Sequence, residues 1–139
     1  TFFGHHDCPS SIRPALVSTL IDLIEHSGVD TFYVGNHGAF DAMARSVLSE
    51  LMQVYPHIRY TIVLAYLPVH GGTLEKKDYA NTMLPEGIEN VPRRFAIVWR
   101  NKWMLRQAEY VVAYVVHSVG RSSQFIEMAK RQGKTIRQI

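Results

Sequence analysis

A glycine-rich turn with the sequence GNHGAFD joins a predicted strand to a predicted helix. Gly35 and Gly38 let the backbone come close to a ligand, and the free N–H groups at the start of a helix attract an anion. The turn therefore predicts a phosphate-binding site, with Asn36 and His37 also contacting the ligand. It lacks the three-glycine fingerprint of dinucleotide-binding folds. The alternative is a structural turn in which Asp41 stabilises the first helical turn through the macrodipole.

A second polar turn, with the sequence GHHDCP, follows the first predicted strand and should lie beside the first turn if the two strands are neighbours. The imidazoles of His5 and His6 are suited to bond a phosphate or a sugar hydroxyl, with Gly4 at the end of the strand. Adjacent ligand types lack the spacing of a structural zinc site, so we predict no metal ion. Cys8 precedes a helix, which lowers a thiol pKa, but a nucleophilic role is the weaker interpretation.

Arg100 and Asn101 interrupt an otherwise apolar segment, with FAIVW before them. On a helical wheel they flank the stripe made by Ile97 and Met104, so their polar groups lie next to a packing face and need partners. One interpretation is a clamp for an anion or a sugar, because the planar guanidinium suits such ligands. The alternative is that Arg100 pairs with a structural carboxylate and Asn101 with a backbone group.

A third turn, with the sequence HSVGRSS, follows the most apolar predicted strand and opens the last predicted helix. The backbone around Gly120 can cradle a phosphate with the help of Ser122 and Ser123. The alternative is that one of these serines caps the helix. Glu127 lies further along the helix, where a solvated or structural role is expected.

The elements that must position these turns follow from hydrophobic periodicity and from turn residues. The predicted strands cover residues 1–4, 31–34, 58–66, 82–84, 110–116 and 134–139. The predicted helices end at about Gly28 and before Pro56, and cover about residues 93–107 and 122–132. Strands that alternate with helices imply parallel pairing through right-handed crossovers.

This alternation predicts one domain over residues 1–139, an α/β fold with a Rossmann-like, doubly wound, mostly parallel sheet and helices on both faces. Ligands of such sheets bind outside the carboxyl ends of the strands. That rule selects four turns as the functional surface. They are residues 4–9, 35–41, 66–72 and 117–123.

Composition excludes several classes of protein. Hydrophobic residues make up 47% of the 139 residues and charged residues 19%, which is typical of a globular domain. The single cysteine, Cys8, excludes an internal disulfide and favours a reducing compartment, so we expect a cytoplasmic protein without a leader peptide or a membrane partner. The net charge of +3 favours anionic partners, but the basic residues are scattered, which makes nucleic acid a weak candidate.

Three segments taken together resemble the bacterial family of unknown function DUF1273, which belongs to the SLOG superfamily. They read FFGHHDCP, FYVGNHGAFD and RNKWM, at residues 2–9, 32–41 and 100–104. This superfamily groups Rossmann-like domains related to the DNA-processing protein DprA and to the LOG cytokinin-activating enzymes. The chain departs from the family at His6, where members usually have arginine, and at Asn36, where they have glycine.

The resemblance implies binding of a nucleotide or a nucleotide-derived molecule, with no further cofactor. LOG-type enzymes cleave nucleoside monophosphates at the N-glycosidic bond with an arginine and a glutamate in a Pro-Gly-Gly-x-Gly-Thr-x-x-Glu motif. The corresponding turn here reads SVGRSSQF, and the early helical glutamate is absent.

Several functions follow as hypotheses, with a ligand-binding module first. The second is an N-glycosidase in which Asp41 or Glu127 stabilises a developing ribosyl cation and Arg100 holds the phosphate. The third is an interaction protein that forms a homodimer through helices, with Trp99 and Trp103 in the contact. Binding of single-stranded DNA, by analogy with the DNA-processing branch, is the weakest hypothesis.

Overall fold

The computed structural model describes residues 1–67 and 80–139, and this part of the chain contains six strands and four α-helices. The strands are β1 (Phe2–Gly4), β2 (Thr31–Val34), β3 (Arg59–Val63), β4 (Thr82–Met83), β5 (Tyr110–Tyr114) and β6 (Thr135–Gln138). The helices are α1 (Arg13–His26), α2 (Gly38–Val54), α3 (Arg93–Gln107) and α4 (Arg121–Arg131).

All strand pairs in the described residues are parallel, as predicted, and they form two three-stranded ladders. One ladder has the order β1-β5-β6 and the other β2-β3-β4. The hydroxyl of Thr1 links them, because its Oγ1 donates to the carbonyl oxygen of Tyr33 at 2.8 Å. Strands β1 and β2 therefore lie side by side where the ladders meet.

Helices cover both faces of the strands. Successive side chains of a strand point to opposite faces, so each strand contributes to a core on either side. Phe2 packs in a core with α1 and α2, whereas Phe3 packs in a second core with α3 and α4. In β5, Val112 joins the first core, and Val111 and Ala113 join the second. The predicted Rossmann-like α/β fold is confirmed.

The ends of two strands differ from the predicted ones, because the apolar residues continue beyond the last residue that pairs with a neighbouring strand. Strand β5 ends at Tyr114 instead of Val116, because its partner β1 ends at Gly4 and the register pairs these two residues. Strand β3 spans Arg59–Val63 instead of residues 58–66, although Leu64 still donates its N–H to the carbonyl oxygen of Met83. Most of the predicted turn at residues 66–72 lies outside the described residues.

Within residues 1–67 and 80–139, no helix is both long enough and apolar enough to cross a bilayer.

Two valines on α2 provide a matched test of the core. Val47 is 0% exposed and packs in the core with α1, whereas Val54, the last residue of the same helix, is 68% exposed. We expect Val47→Ala to lower the free energy of unfolding by about 2 kcal/mol, because it removes buried methyl groups and leaves a cavity. Val54→Ala should change it by less than about 0.5 kcal/mol. Urea denaturation measures both, and equal losses would contradict this packing.

Candidate functional site

A cleft of about 290 Å³ lies at the carboxyl end of β1, between the first turns of α2 and α4 and one side of α3. Its lining contains most of the side chains and glycines singled out from the sequence. These are Gly4, His5, His6, His37, Asp41, Arg100, Asn101, Gly120 and Ser122. Gly35, Asn36, Gly38 and Ser123 do not line the cleft. Three turns that are distant in the sequence thus meet at one site.

Arg100 is the most buried polar side chain at the cleft, with 1% of its surface exposed. Its guanidinium makes four hydrogen bonds. Its Nε donates to Asn101 Oδ1 at 2.8 Å, Nη1 donates to the carbonyl oxygen of Val63 at 2.7 Å and to Asn36 Oδ1 at 3.1 Å, and Nη2 donates to His37 Nδ1 at 3.2 Å. A guanidinium has five N–H groups, so one has no partner in the described part of the chain.

The structural carboxylate of the alternative interpretation lies near Arg100 without a direct ion pair, because a Cβ on Gly35 would be 2.6 Å from Asp41 Oδ2 and 3.2 Å from Arg100 Nη1. Among residues 1–67 and 80–139, no aspartate or glutamate forms an ion pair with its guanidinium. Asp41 attracts the positive charge from a longer distance, and burial lowers the pKa of Arg100. The alternative interpretation paired Asn101 with a backbone group. In the structure, the amide oxygen of Asn101 accepts a hydrogen bond from the side chain of Arg100 instead.

His37 is held as a neutral imidazole between Arg100 and Tyr66. A guanidinium only donates, so Nδ1 of His37 accepts and its proton lies on Nε2, which is 3.3 Å from the Tyr66 hydroxyl. Burial, followed by the charges of Arg100 and Arg121, lowers the pKa of His37 to about 4. The imidazole therefore adds no positive charge to the cleft at neutral pH.

The side chain of Asp41, in the first turn of α2, bonds the backbone at the start of the same helix. Its Oδ2 accepts a hydrogen bond from the backbone N–H of His37 at 3.1 Å, as the structural interpretation of this turn expects. Burial raises the pKa of Asp41, and the positive charge of Arg100 opposes that rise. A Cβ atom on Gly35 would lie 2.6 Å from this carboxylate oxygen, so Gly35 leaves room for Asp41.

The turns after β1 and β2 pack directly against each other. The N–H of Ala39 donates to the carbonyl oxygen of His6 at 2.6 Å, and a Cβ on Gly38 would lie 2.9 Å from the His6 Cα. Gly38 also has a φ of +89°, which other residues rarely adopt. Two donors at the start of α2, in His37 and Ala39, are thus already bonded within the chain. The glycines of this turn serve chain packing.

His5 connects β1 to the turn after β5. Its Nε2 accepts hydrogen bonds from the backbone N–H groups of Val116 at 2.8 Å and His117 at 3.3 Å. Its ring lies 4.9 Å from the ring of His117 and makes an edge contact with Tyr114. One face of His5 lines the cleft, while its Nε2 organises the backbone.

The start of α4 remains open toward the cleft. Gly120 is the residue before the helix and has a φ of +113°, and no side chain caps the first turn. The alternative role of these serines as helix caps does not occur, because Ser122 Oγ donates to the carbonyl oxygen of Gly4 and Ser123 Oγ to that of Ser118. The Ser122 hydroxyl thus connects α4 to β1, and the Ser123 hydroxyl connects α4 to the turn that precedes it.

Arg121 lines the cleft at the first residue of α4, and the sequence analysis did not select it. It is exposed and has no ion-pair or hydrogen-bond partner within the described residues. Its charge is close enough to lower the pKa values of His37 and Arg100. Its position at the start of a helix that faces strand ends was a signal available in the sequence.

An apolar wall completes the cleft. The rings of Phe3 and Phe125 stack with centroids 5.1 Å apart, and both line the cleft with Ile97 and Met104. The cleft therefore combines a charged end with a surface that suits a flat or apolar group.

The remaining candidates lie elsewhere. Glu127 forms an exposed ion pair with Lys130 at 3.1 Å and lies outside the lining of the cleft. Trp103 packs edge-on against Tyr33, and Trp99 lies next to Gly87, so both indoles contact their own chain. Cys8 is half-buried, and burial raises the pKa of its thiol. Among the residues that the structure describes, no group of three histidine, cysteine, aspartate or glutamate side chains could hold a metal ion.

Comparisons with protein-family models, with curated proteins and with solved structures found no match to this chain. The site must therefore be interpreted from its own geometry.

The lowered pKa of His37 predicts a pH dependence of stability. Between pH 6.5 and about pH 4, the unfolded chain binds a proton at His37 that the folded chain does not. The free energy of unfolding therefore decreases as the pH falls through this window, by about 1 to 2 kcal/mol after allowance for solvent screening at a half-buried site.

His37→Asn keeps a hydrogen-bond acceptor and removes the titration, so it should reduce this slope in urea denaturation across the same window. His57→Asn changes an exposed histidine and should leave the contribution of His37 intact. An unchanged slope in His37→Asn would show that other groups cause the pH dependence.

Proposed function

We propose that this chain is a SLOG-type module that binds a nucleotide or a nucleotide-derived ligand in the cleft at the strand ends. The observation that carries the proposal is the placement of Arg100, Arg121 and the open start of α4 around one space. The Rossmann-like fold and the resemblance of residues 2–9, 32–41 and 100–104 support the same interpretation.

The charges of the cleft favour an anion. Two arginines and Asp41 are the charged residues of the lining, so positive side chains outnumber the negative one. The N–H groups at the start of α4 add a partial positive charge on the same side. A phosphate there would interact with Arg121 and with these N–H groups together.

The size and the apolar wall narrow the ligand further. A volume of about 290 Å³ lies at the small end of the usual range for ligand sites, which favours a mononucleotide over a dinucleotide. Ile97 is the partly exposed apolar side chain of the lining and offers a contact for the base or for the sugar edge, whereas Phe3, Phe125 and Met104 are at most 5% exposed.

Arg121 gives the sharpest test, because it is exposed and its loss leaves the packing intact. We expect AMP to bind in titration calorimetry and Arg121→Ala to weaken the affinity at least about tenfold, which is the loss of one charge-assisted hydrogen bond. Arg131→Ala removes the same charge from the last turn of α4 and should have little effect. Thermal unfolding of both variants checks that each remains folded.

A panel that includes AMP, ADP-ribose and NAD tests the class of ligand. Absence of binding by every member would contradict the proposal. Equal losses in the two arginine variants would show that the overall charge of the helix, and not the cleft, attracts the ligand.

Asp41 supports an N-glycosidase as the second candidate function. It is the only carboxylate of the lining in the described residues, whereas Glu127 lies outside it. A carboxylate near the sugar would stabilise a developing ribosyl cation.

Release of free adenine from AMP, measured by chromatography, tests this second function, and Asp41→Asn should reduce the rate at least about a hundredfold. Tight binding of AMP without release of adenine would contradict the N-glycosidase hypothesis and would agree with a module that only binds its ligand.

A further inference from the structure

A ring nitrogen of His5, in the lining of the cleft, bonds the backbone of another turn. The donors are the N–H groups of Val116 and His117, at 2.8 Å and 3.3 Å from Nε2. A backbone N–H only donates, so Nε2 must be unprotonated and the imidazole proton must lie on Nδ1. Both hydrogen bonds therefore exist only while His5 is neutral.

The turn held in this way leads directly into the open end of α4. Strand β5 ends at Tyr114, and α4 begins at Arg121, so His5 fixes the connection near its start. Ser123 fastens the same connection near its end through the carbonyl oxygen of Ser118. Val115 packs against the second core, and its carbonyl oxygen accepts from Gln138 Nε2 at 3.1 Å, so the first residue of the connection is held independently of His5. Val116 and Val119 are 60% and 78% exposed, so the part of the connection after Val115 has little apolar packing, and the hydrogen bonds from His5 and Ser123 hold it.

We propose that His5 is a proton-sensitive latch that holds the turn between β5 and α4 at neutral pH and releases it when His5 is protonated. Protonation of Nε2 converts an acceptor into a donor, which then faces two N–H donors. Histidine is the side chain whose ordinary charge change lies between about pH 5 and pH 8, and this general range sets the pH values of the test. The consequence for ligand binding rests on the proposed function, but the latch does not.

Several titratable and charged groups surround the latch and must be separated from it. Tyr114 and His117 contact its ring from β5 and the following turn, and His6 and Asp7 follow it in its own turn. Across the cleft lie His37 and Asp41 at the start of α2, Arg100 on α3 and Arg121 on α4. None of these side chains bonds Nε2 of His5, so replacement of His5 alone tests the latch.

Amide hydrogen exchange in the isotope-labelled full chain, without any ligand, measures the latch directly. In the wild type, we expect the protection factors of the Val116 and His117 amides to fall about tenfold between about pH 7.5 and pH 5, because their acceptor is lost. In His5→Gln, the Oε1 atom can take the place of Nε2 as an acceptor and does not titrate, so protection should be independent of pH.

His117→Gln is the matched control, because His117 contributes a backbone N–H to the latch and only ring contact from its side chain. It should keep the pH dependence of the wild type. Unchanged protection in the wild type, persistence of the pH dependence in His5→Gln, or its loss in His117→Gln would each overturn the proposal. If the latch is found and no nucleotide binds, the proposed function fails and the latch stands.

Discussion

The buried guanidinium of Arg100 is the interaction on which the arrangement of the site depends. It ties α3 to the end of β3 through Val63 and to the turn after β2 through Asn36 and His37. Burial of an arginine is costly unless its N–H groups are satisfied, and here four of five find acceptors within the chain. These acceptors are neutral, so none of them cancels the positive charge of Arg100, which Asp41 attracts through space. Arg100 is therefore a structural centre that also brings a positive charge to the lining of the cleft.

Much of the fold could be predicted from the sequence, because buried residues recur with the period of a helix or a strand. Glycine and proline residues mark where these elements end. The bounds of β2 and α3 agree with the predicted residues 31–34 and 93–107. The failures share one cause: apolarity reports burial, whereas strand length depends on the partner. Val115 and Val116 extend an apolar run past Tyr114, but β1 offers no residue to pair with them. The short length of β1 is a property of the other strand, which the local sequence of β5 does not contain.

The residues of the candidate site were also largely predictable, but their bonds were not. The rule that ligands bind at strand ends selected His5, His37 and Ser122 correctly as neighbours of one cleft. It could not show that Ser122 bonds the carbonyl oxygen of Gly4, 118 positions away in the sequence, instead of capping its own helix. A hydroxyl takes whichever acceptor the tertiary structure brings near, so only the fold decides between the two roles. Arg121 was missed because an exposed arginine is common on a protein surface, and only its position at the start of α4, facing the strand ends, distinguishes it.

The first turns of α2 and α4 both face the cleft, but they differ in whether their N–H groups already have partners. The two ends of the cleft therefore differ in their attraction for an anion. At α2, Asp41 and the carbonyl oxygen of His6 already accept from the first N–H groups, so this end is satisfied within the chain. At α4, the preceding residue is Gly120 and no side chain caps the first turn, while Arg121 adds a charge beside it. An anion that entered the cleft would compete with Asp41 at α2 but would meet no carboxylate at α4. The proposed ligand-binding function therefore predicts the anionic group at α4, away from Asp41. The turn whose N–H groups bond His5 leads into that same helix start, so the proposed ligand site and the proposed latch share one segment of backbone.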